Sequence, residues 1–225
     1  METIVKLAKI SKNYDDLEIV ENINLGVIKG EFLSLIGPNG CGKSTIIKIL
    51  AGIITEYHGE VITEAKTAYV PQQSSLLPWL SVIDNLIFPS KINRVLGSGS
   101  AKDLLKQFEL DEFADFYPKQ LSGGMQQKLS ILRAVNTMPD VLLLDEPFSS
   151  LDSITRRSMQ DWLKLLIESR GLTTICVTHD IQEAARMSDR VAVLTARPGS
   201  IIRLFTTKDI EHSTLQSKLE KLLLV

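Results

Sequence analysis

Stretches with the alternation of a strand and stretches with the period of a helix take turns along this chain. Ile4 to Ile10 and Leu17 to Leu25 read as two short strands separated by the turn-like Lys12-Asn13-Tyr14-Asp15-Asp16. Glu31 to Ile36 predicts a short apolar strand. It runs directly into Gly37 to Thr45 and then a helix whose Ile46, Ile47, Ile49 and Leu50 present apolar surface. Thr67 to Val70 predicts another strand. From Leu76 to Asp115 the apolar residues fall at helical spacing (Leu104, Leu105, Phe108), interrupted by the loop-like Gly97-Ser98-Gly99-Ser100.

The sheet pattern then resumes. Val141 to Leu144 is wholly apolar, as a buried parallel strand should be. A helix follows with Met159, Trp162, Leu163, Leu166 and Ile167 on one face. Thr173 to Thr178 and Val191 to Thr195 predict further strands with a short helix between them, and Leu215 to Val225 predicts an amphipathic helix whose Leu215, Leu219, Leu222 and Leu223 pack on the core. Strands alternating with helices predict an α/β fold built on a parallel sheet, interrupted by a helical insertion.

Composition narrows this little. Of 225 residues, 44% are hydrophobic and 23% charged, which excludes a disordered chain. The net charge of −2 gives no reason to expect broad nucleic-acid binding. Cys41 and Cys176 form no metal or disulfide pattern, which fits a reducing compartment. Both read as small filler residues, and its place in the Gly37–Thr45 segment makes Cys41 a candidate for alkylation. No apolar run approaches the ~20 residues that span a bilayer. The ends predict no signal peptide and no additional regulatory domain.

The chemistry begins at Gly37-Pro38-Asn39-Gly40-Cys41-Gly42-Lys43-Ser44, which satisfies G-x-x-x-x-G-K-S between a strand and a helix. Glycines let the backbone turn its N–H groups toward phosphate oxygens, and the helix directs its positive end at the same anion. Lys43 is placed to neutralise the β- and γ-phosphates and Ser44 to hold Mg²⁺. The segment predicts a nucleoside triphosphate site. Asp145 and Glu146 end the apolar Val141–Leu144 run, and consecutive strand residues point in different directions. Asp145 is therefore placed to hold Mg²⁺ and Glu146 to orient or deprotonate an attacking water. Leu121-Ser122-Gly123-Gly124-Met125-Gln126-Gln127 is a second helix start: Ser122 can cap it, and Gly123-Gly124 expose N–H groups at its positive end.

These motifs, with Gln72 in Tyr69-Val70-Pro71-Gln72-Gln73, Ser149-Ser150-Leu151-Asp152, and His179 in Val177-Thr178-His179-Asp180, resemble the ordered signatures of ABC ATPases over nearly the whole chain. The resemblance implies a P-loop core with a mainly parallel sheet and an N-terminal antiparallel β region (residues 1–75 and 137–225) and a helical subdomain (about 76–136). It implies that Tyr14 stacks on adenine and that Gly37 to Thr45, Thr45 included, wraps the phosphates of ATP. Gln72 would sense the γ-phosphate near Mg²⁺, Glu146 would activate water, and His179 would contact the γ-phosphate. Ser122, Gly123 and Gly124, and the D-loop Asp152, would complete nucleotide sites across a head-to-tail homodimer. Pro71, Met125 and Lys128 depart from common family residues, but none removes a phosphate or metal contact, so an active ATPase is expected.

Leu76 to Leu86 and Thr195 to Ile201 resemble importer subunits grouped with nitrate, sulfonate, taurine and bicarbonate uptake, with vitamin precursors among similar systems. That implies transmembrane permease subunits, an extracytoplasmic solute-binding protein, and a cytoplasmic position on the inner face of the membrane. Trp79 would serve a permease groove; packing into the core is its alternative. His58 reads as an exposed turn residue and His212 as part of a helix start. The competing reading, a non-transport ABC ATPase acting on nucleic acid or the ribosome, calls for a coiled-coil insertion, a second cassette or a basic surface, and the sequence offers none.

Overall fold

The computed structural model describes residues 2–93 and 98–223. A long hairpin opens the chain, β1 (Thr3–Tyr14) and β2 (Leu17–Ile28), followed by β3 (Phe32–Ile36), α1 (Lys43–Leu50), β4 (His58–Ile62) and β5 (Thr67–Val70). Three helices come next, α2 (Val82–Asn93), α3 (Ser98–Gln107) and α4 (Gly123–Val135). The second half alternates β6 (Val141–Asp145), α5 (Ser153–Arg170), β7 (Thr173–Val177), α6 (Ile181–Met187), β8 (Arg190–Leu194), β9 (Ile201–Thr206) and α7 (His212–Leu223).

Six strands form the central sheet in the order β5-β6-β7-β3-β8-β9, parallel except for the antiparallel edge strand β9. A separate antiparallel sheet, β2-β1-β4, covers one face. Strand alternation sends neighbouring side chains into different cores. Val141 and Leu143 of β6 join α1 and the antiparallel sheet in one cluster, while Leu142 and Leu144 join α2, α4 and α5 in the other. Every residue of β3, β6 and β7 is buried, as the continuous apolar run of β6 predicts for a strand covered on both faces; Ser34 of β3 and Thr173 and Thr174 of β7 are buried with their apolar neighbours. A third cluster seats Leu215 and Leu219 of α7 against α6 and β8.

Several expectations shift. β1 continues through Lys12 to Tyr14, so only Asp15 and Asp16 turn, with Asp15 at φ 51. The predicted loop at Gly97–Ser100 is corrected: Ser98, Gly99 and Ser100 open α3, and Gly97 lies outside the described residues. His58 is exposed but belongs to β4, opposite Ser11 of β1. The strands β4 and β9 have no counterpart in the sequence reading; both are edges with mostly exposed or half-exposed residues, so neither carries a strong apolar signal. His212 begins α7, while the side chains of His212 and Leu223 fall outside the description.

Candidate active site

The C-terminal ends of β3, β6 and β7 converge, and the predicted chemistry gathers there. Between β3 and α1 the chain folds back tightly. Gly42 has φ 95, and a Cβ there would stand 2.3 Å from Val20 Cγ1 of β2, so both the backbone angle and the space require glycine. Lys43, 5% exposed, bends its Nζ back to donate to the Gly37 and Pro38 carbonyls at 2.8 and 2.9 Å. Its ammonium therefore lies within the loop, where phosphate oxygens would compete with those carbonyls.

Ser44 Oγ donates to Asp145 Oδ1 at 2.8 Å. The other carboxylate oxygen, Oδ2, accepts from the Tyr69 hydroxyl at 3.0 Å, and Asp145 is buried. Glu146 follows directly, at φ 47, a left-handed conformation that is rare outside glycine and concentrated at functional sites. Its N–H bonds Val177 O of β7 at 2.9 Å. That twist turns its carboxylate to a different partner set: Gln72 Nε2 donates to Oε2 at 3.1 Å, and His179 Nδ1 lies 3.2 Å from the same oxygen. Gln72 also reaches Ser149 Oγ at 3.4 Å.

A cleft of about 310 Å³ brings together Tyr14, Ile19, Asn39, Gly40, Gly42, Lys43, Ser44, Thr45, Glu146 and Arg197. Tyr14 is half exposed, with Lys12 Nζ 4.9 Å from its ring centre. A larger cleft of about 720 Å³ lies elsewhere, at the starts of β3, β7 and β8, away from all of these groups. Cys41 is buried, and burial pushes its thiol up despite the opposing charge of Lys43, so the expected alkylation sensitivity is corrected to a shielded, protonated thiol.

Two predicted groups stand apart from this cleft. Ser122 accepts from Met125 N at 3.3 Å and caps α4, with Gly123 and Gly124 in its first turn. Asp152 caps α5, accepting from Ile154 and Thr155 N–H groups at 3.1 Å each. Hydrogen bonds from Thr155 hold its carboxyl below the usual range. Arg156 of α5 ties the D-loop to the cap of α6, donating to Leu151 O at 2.9 Å and to Asp180 Oδ2 at 3.4 Å.

Tyr69 and Arg197 were missed as site residues. Tyr69 lies in the Tyr69–Gln73 stretch, but its reach to Asp145 depends on the neighbouring β5–β6 register. Arg197 lies in the Thr195–Ile201 stretch, and nothing in the sequence alone brings that stretch to the cleft that Arg197 lines. Gly199 packs on the phosphate loop so tightly that a Cβ would meet Cys41 O at 1.9 Å, and its N–H bonds Ile19 O at 2.8 Å. This places the Arg197 turn against the cleft.

The residues fit Mg²⁺. Ser44 Oγ and buried Asp145 offer adjacent hard oxygens beside the phosphate loop, the pattern of one carboxylate plus substrate oxygens that this ion favours. Among the described residues there is no cluster of three or more His, Cys, Asp or Glu side chains able to hold a metal on their own.

Residues 20–149 match the ABC transporter family. The chain is 39% identical over 206 residues to the aliphatic sulfonates import ATP-binding protein SsuB of Bacillus cereus (strain ZK / E33L), covering 88% of this chain and 82% of that protein. It is similar to a dimeric structure of MJ0796, a bacterial ABC transporter cassette, with TM-score 0.78 and 33% identity over 91% of this chain and 99% of that one. The structure described as a post-hydrolysis dimer of the same cassette bound to ADP and Pi matches with TM-score 0.79 and 32% identity, over the same 91% and 99%. The chain belongs to the ABC transporter family and is one of its ATP-hydrolysing cassettes.

Proposed function

We propose that this chain powers a membrane importer, with two copies closing head to tail around two ATP molecules. The observation that carries the reading is the Glu146 carboxylate, held in a left-handed turn between Gln72 and His179 beside the phosphate-loop cleft. The signature, Ser122 to Gly124, presents a second helix N-terminus outside that cleft, which suits a partner's nucleotide.

In this reading Tyr14 stacks on adenine, and the loop N–H groups with Lys43 hold the phosphates. Mg²⁺ bound at Ser44 and Asp145, near Gln72, would neutralise phosphate charge. Glu146 accepts a proton from the attacking water, and His179, held by the same carboxylate, faces the γ-phosphate. The partner's signature supplies the remaining positive dipole, so closure itself assembles the catalytic arrangement. In the same reading Asp152, whose carboxylate caps α5, would lie at this interface.

Trp79 favours a permease partner. It is 70% exposed, which excludes the core alternative, and three residues further on Val82 N bonds the carbonyl of Phe116, itself exposed like Tyr117 beside it in the chain. Fully buried Asn85 organises the turn: its Oδ1 accepts from Leu77 N and its Nδ2 reaches the carbonyls of Leu77, Leu80 and Ser81. The permease would receive Trp79 on the cytoplasmic face, opposite a solute-binding protein. No helix among the described residues is long and apolar enough to cross a membrane. Similarity to proteins named for aliphatic sulfonate import favours a sulfonate-type solute among the nitrate, sulfonate, taurine, bicarbonate and vitamin-precursor group. A nucleic-acid or ribosome role is not favoured.

Deletion of the gene and measurement of alkanesulfonate uptake test the solute: lost uptake supports it, unchanged uptake contradicts it. Steady-state ATP turnover tests the chemistry. Glu146→Gln should bind ATP with near-normal affinity and lose at least about 100-fold in kcat; a variant that turns over normally would overturn the assignment of Glu146.

A further inference from the structure

An acid at the third position of a helix ordinarily stays near the surface and reaches back to the backbone N–H at the helix start. Glu183 holds that position in α6, three residues after the capping Asp180, and does something else. The Asp180 N–H is taken by the Thr178 hydroxyl oxygen at 3.0 Å, and Glu183 is buried, only 6% exposed. Cys176 of β7 donates its thiol to Glu183 Oε1 at 3.8 Å, and the Thr178 side chain acts on the same carboxyl. Thr178 and Asp180 flank His179, whose Nδ1 lies 3.2 Å from Glu146 Oε2. A gap of about 10 Å³, room for one water at most, is lined by Glu183 together with Glu146, Thr178, His179, Asp180 and Arg156.

A carboxyl in such a place destabilises the fold unless it is neutral or paired. Asp180 opposes its ionisation and Arg156 of α5 favours it, but Arg156 already donates to Asp180 Oδ2 at 3.4 Å. The Cys176 thiol is itself kept protonated by burial, so it stays a donor to Glu183. Burial, with Asp180 adding to it, pushes the Glu183 carboxyl up to about 8. The group is therefore neutral at pH 7 and gains its charge as pH rises through that value.

We propose that Glu183 is a positioning residue for ATP hydrolysis: it supports the Thr178–Asp180 turn from the core side and so sets His179 beside Glu146. The neutral carboxyl serves this purpose. Once ionised, it would be repelled by Asp180 and Glu146 and drawn to Arg156, and the turn that carries His179 would shift. The inference rests on the reading above in which Glu146 and His179 serve the γ-phosphate.

The test uses the full chain with Glu183→Ala and Glu183→Gln. For each, kcat, KM and ATP affinity are followed from about pH 6.5 to 9.5, well below the melting temperature. Glu183→Ala removes the support and should lose roughly tenfold in kcat at pH 7, with KM and ATP affinity within about twofold of the unaltered chain. Glu183→Gln keeps the neutral shape and should restore kcat. In the unaltered chain kcat should fall several-fold as pH rises through about 8, at constant ATP affinity, and Glu183→Gln should lack that fall. Superimposable pH profiles for the unaltered chain and Glu183→Gln overturn the proposal, because a merely structural acid would shift melting temperature without separating them. Unchanged kcat in Glu183→Ala overturns it as well. If Glu183→Ala does not fold, the Glu183→Gln profile decides alone. Normal turnover in His179→Ala would instead overturn the reading of the site itself, and this inference with it.

Discussion

The Tyr69 hydroxyl donates to Asp145 Oδ2 at 3.0 Å, while Ser44 takes the opposite oxygen at 2.8 Å. Both lone-pair faces of this buried carboxylate are thereby oriented by neighbouring elements, and the acid cannot rotate freely. Burial, with the Asp145 charge adding to it, raises the Tyr69 phenol well above its ordinary value, so it remains a donor at any physiological pH. Such outer partners commonly set the orientation of a metal-binding carboxylate.

Tyr69→Phe should therefore leave the fold intact and lower kcat roughly three- to tenfold, with more Mg²⁺ needed for half-maximal rate. A Mg²⁺ titration of turnover checks this. An unchanged titration would mean that Ser44 alone suffices to orient Asp145.

Gly199 presses on the phosphate loop from the Arg197 turn. Gly199→Ala places a methyl where Cys41 O stands, 1.9 Å from the ideal Cβ position. Backbone has to move to admit it, so ATP affinity should fall by at least about tenfold and the melting temperature by several degrees. Fluorescent-nucleotide titration and thermal unfolding read the two effects. Normal affinity would show that the loop tolerates displacement.

Glu183 gives a pH dependence. Burial, with Asp180 adding to it, pushes its carboxyl up to about 8. The unfolded chain ionises this group near pH 4.5, whereas the folded chain retains the proton. The folded state thus binds more protons between those values, and stability falls as pH rises through that window, levelling off above about 8. Glu183→Gln should flatten the slope and raise the melting temperature at pH 7 and above, with little change at pH 4. Unfolding scans across this range check the sign; a variant less stable at pH 8 would contradict it.

Trp79→Ala should leave ATP turnover of the isolated chain unchanged, since Trp79 lies outside the nucleotide cleft. Stimulation of turnover by the reconstituted permease should be lost or reduced at least about tenfold, as for an aromatic anchor at an interface. Full stimulation in the variant would move the docking site elsewhere.

Much of this arrangement is legible in the sequence because its determinants are local. The phosphate loop needs glycines between a strand and a helix, and Gly42 at φ 95 obeys that need. The continuous apolar run of β6 announces a strand covered on both faces. What escapes is set by register and edges. β9 reads IIRLFT with its side chains mostly exposed, so no alternation marks it, and Gly99 beside two serines resembles a loop although it opens α3. Tyr69 acts on a residue far away in the chain, and no spacing rule gives that distance.

The most direct test of the two-chain account is the solution mass of Glu146→Gln with and without Mg-free ATP. The account predicts a monomer without nucleotide and a doubled mass once ATP saturates the chain. A variant saturated with ATP that keeps the monomer mass would contradict the head-to-tail dimer as a property of this chain.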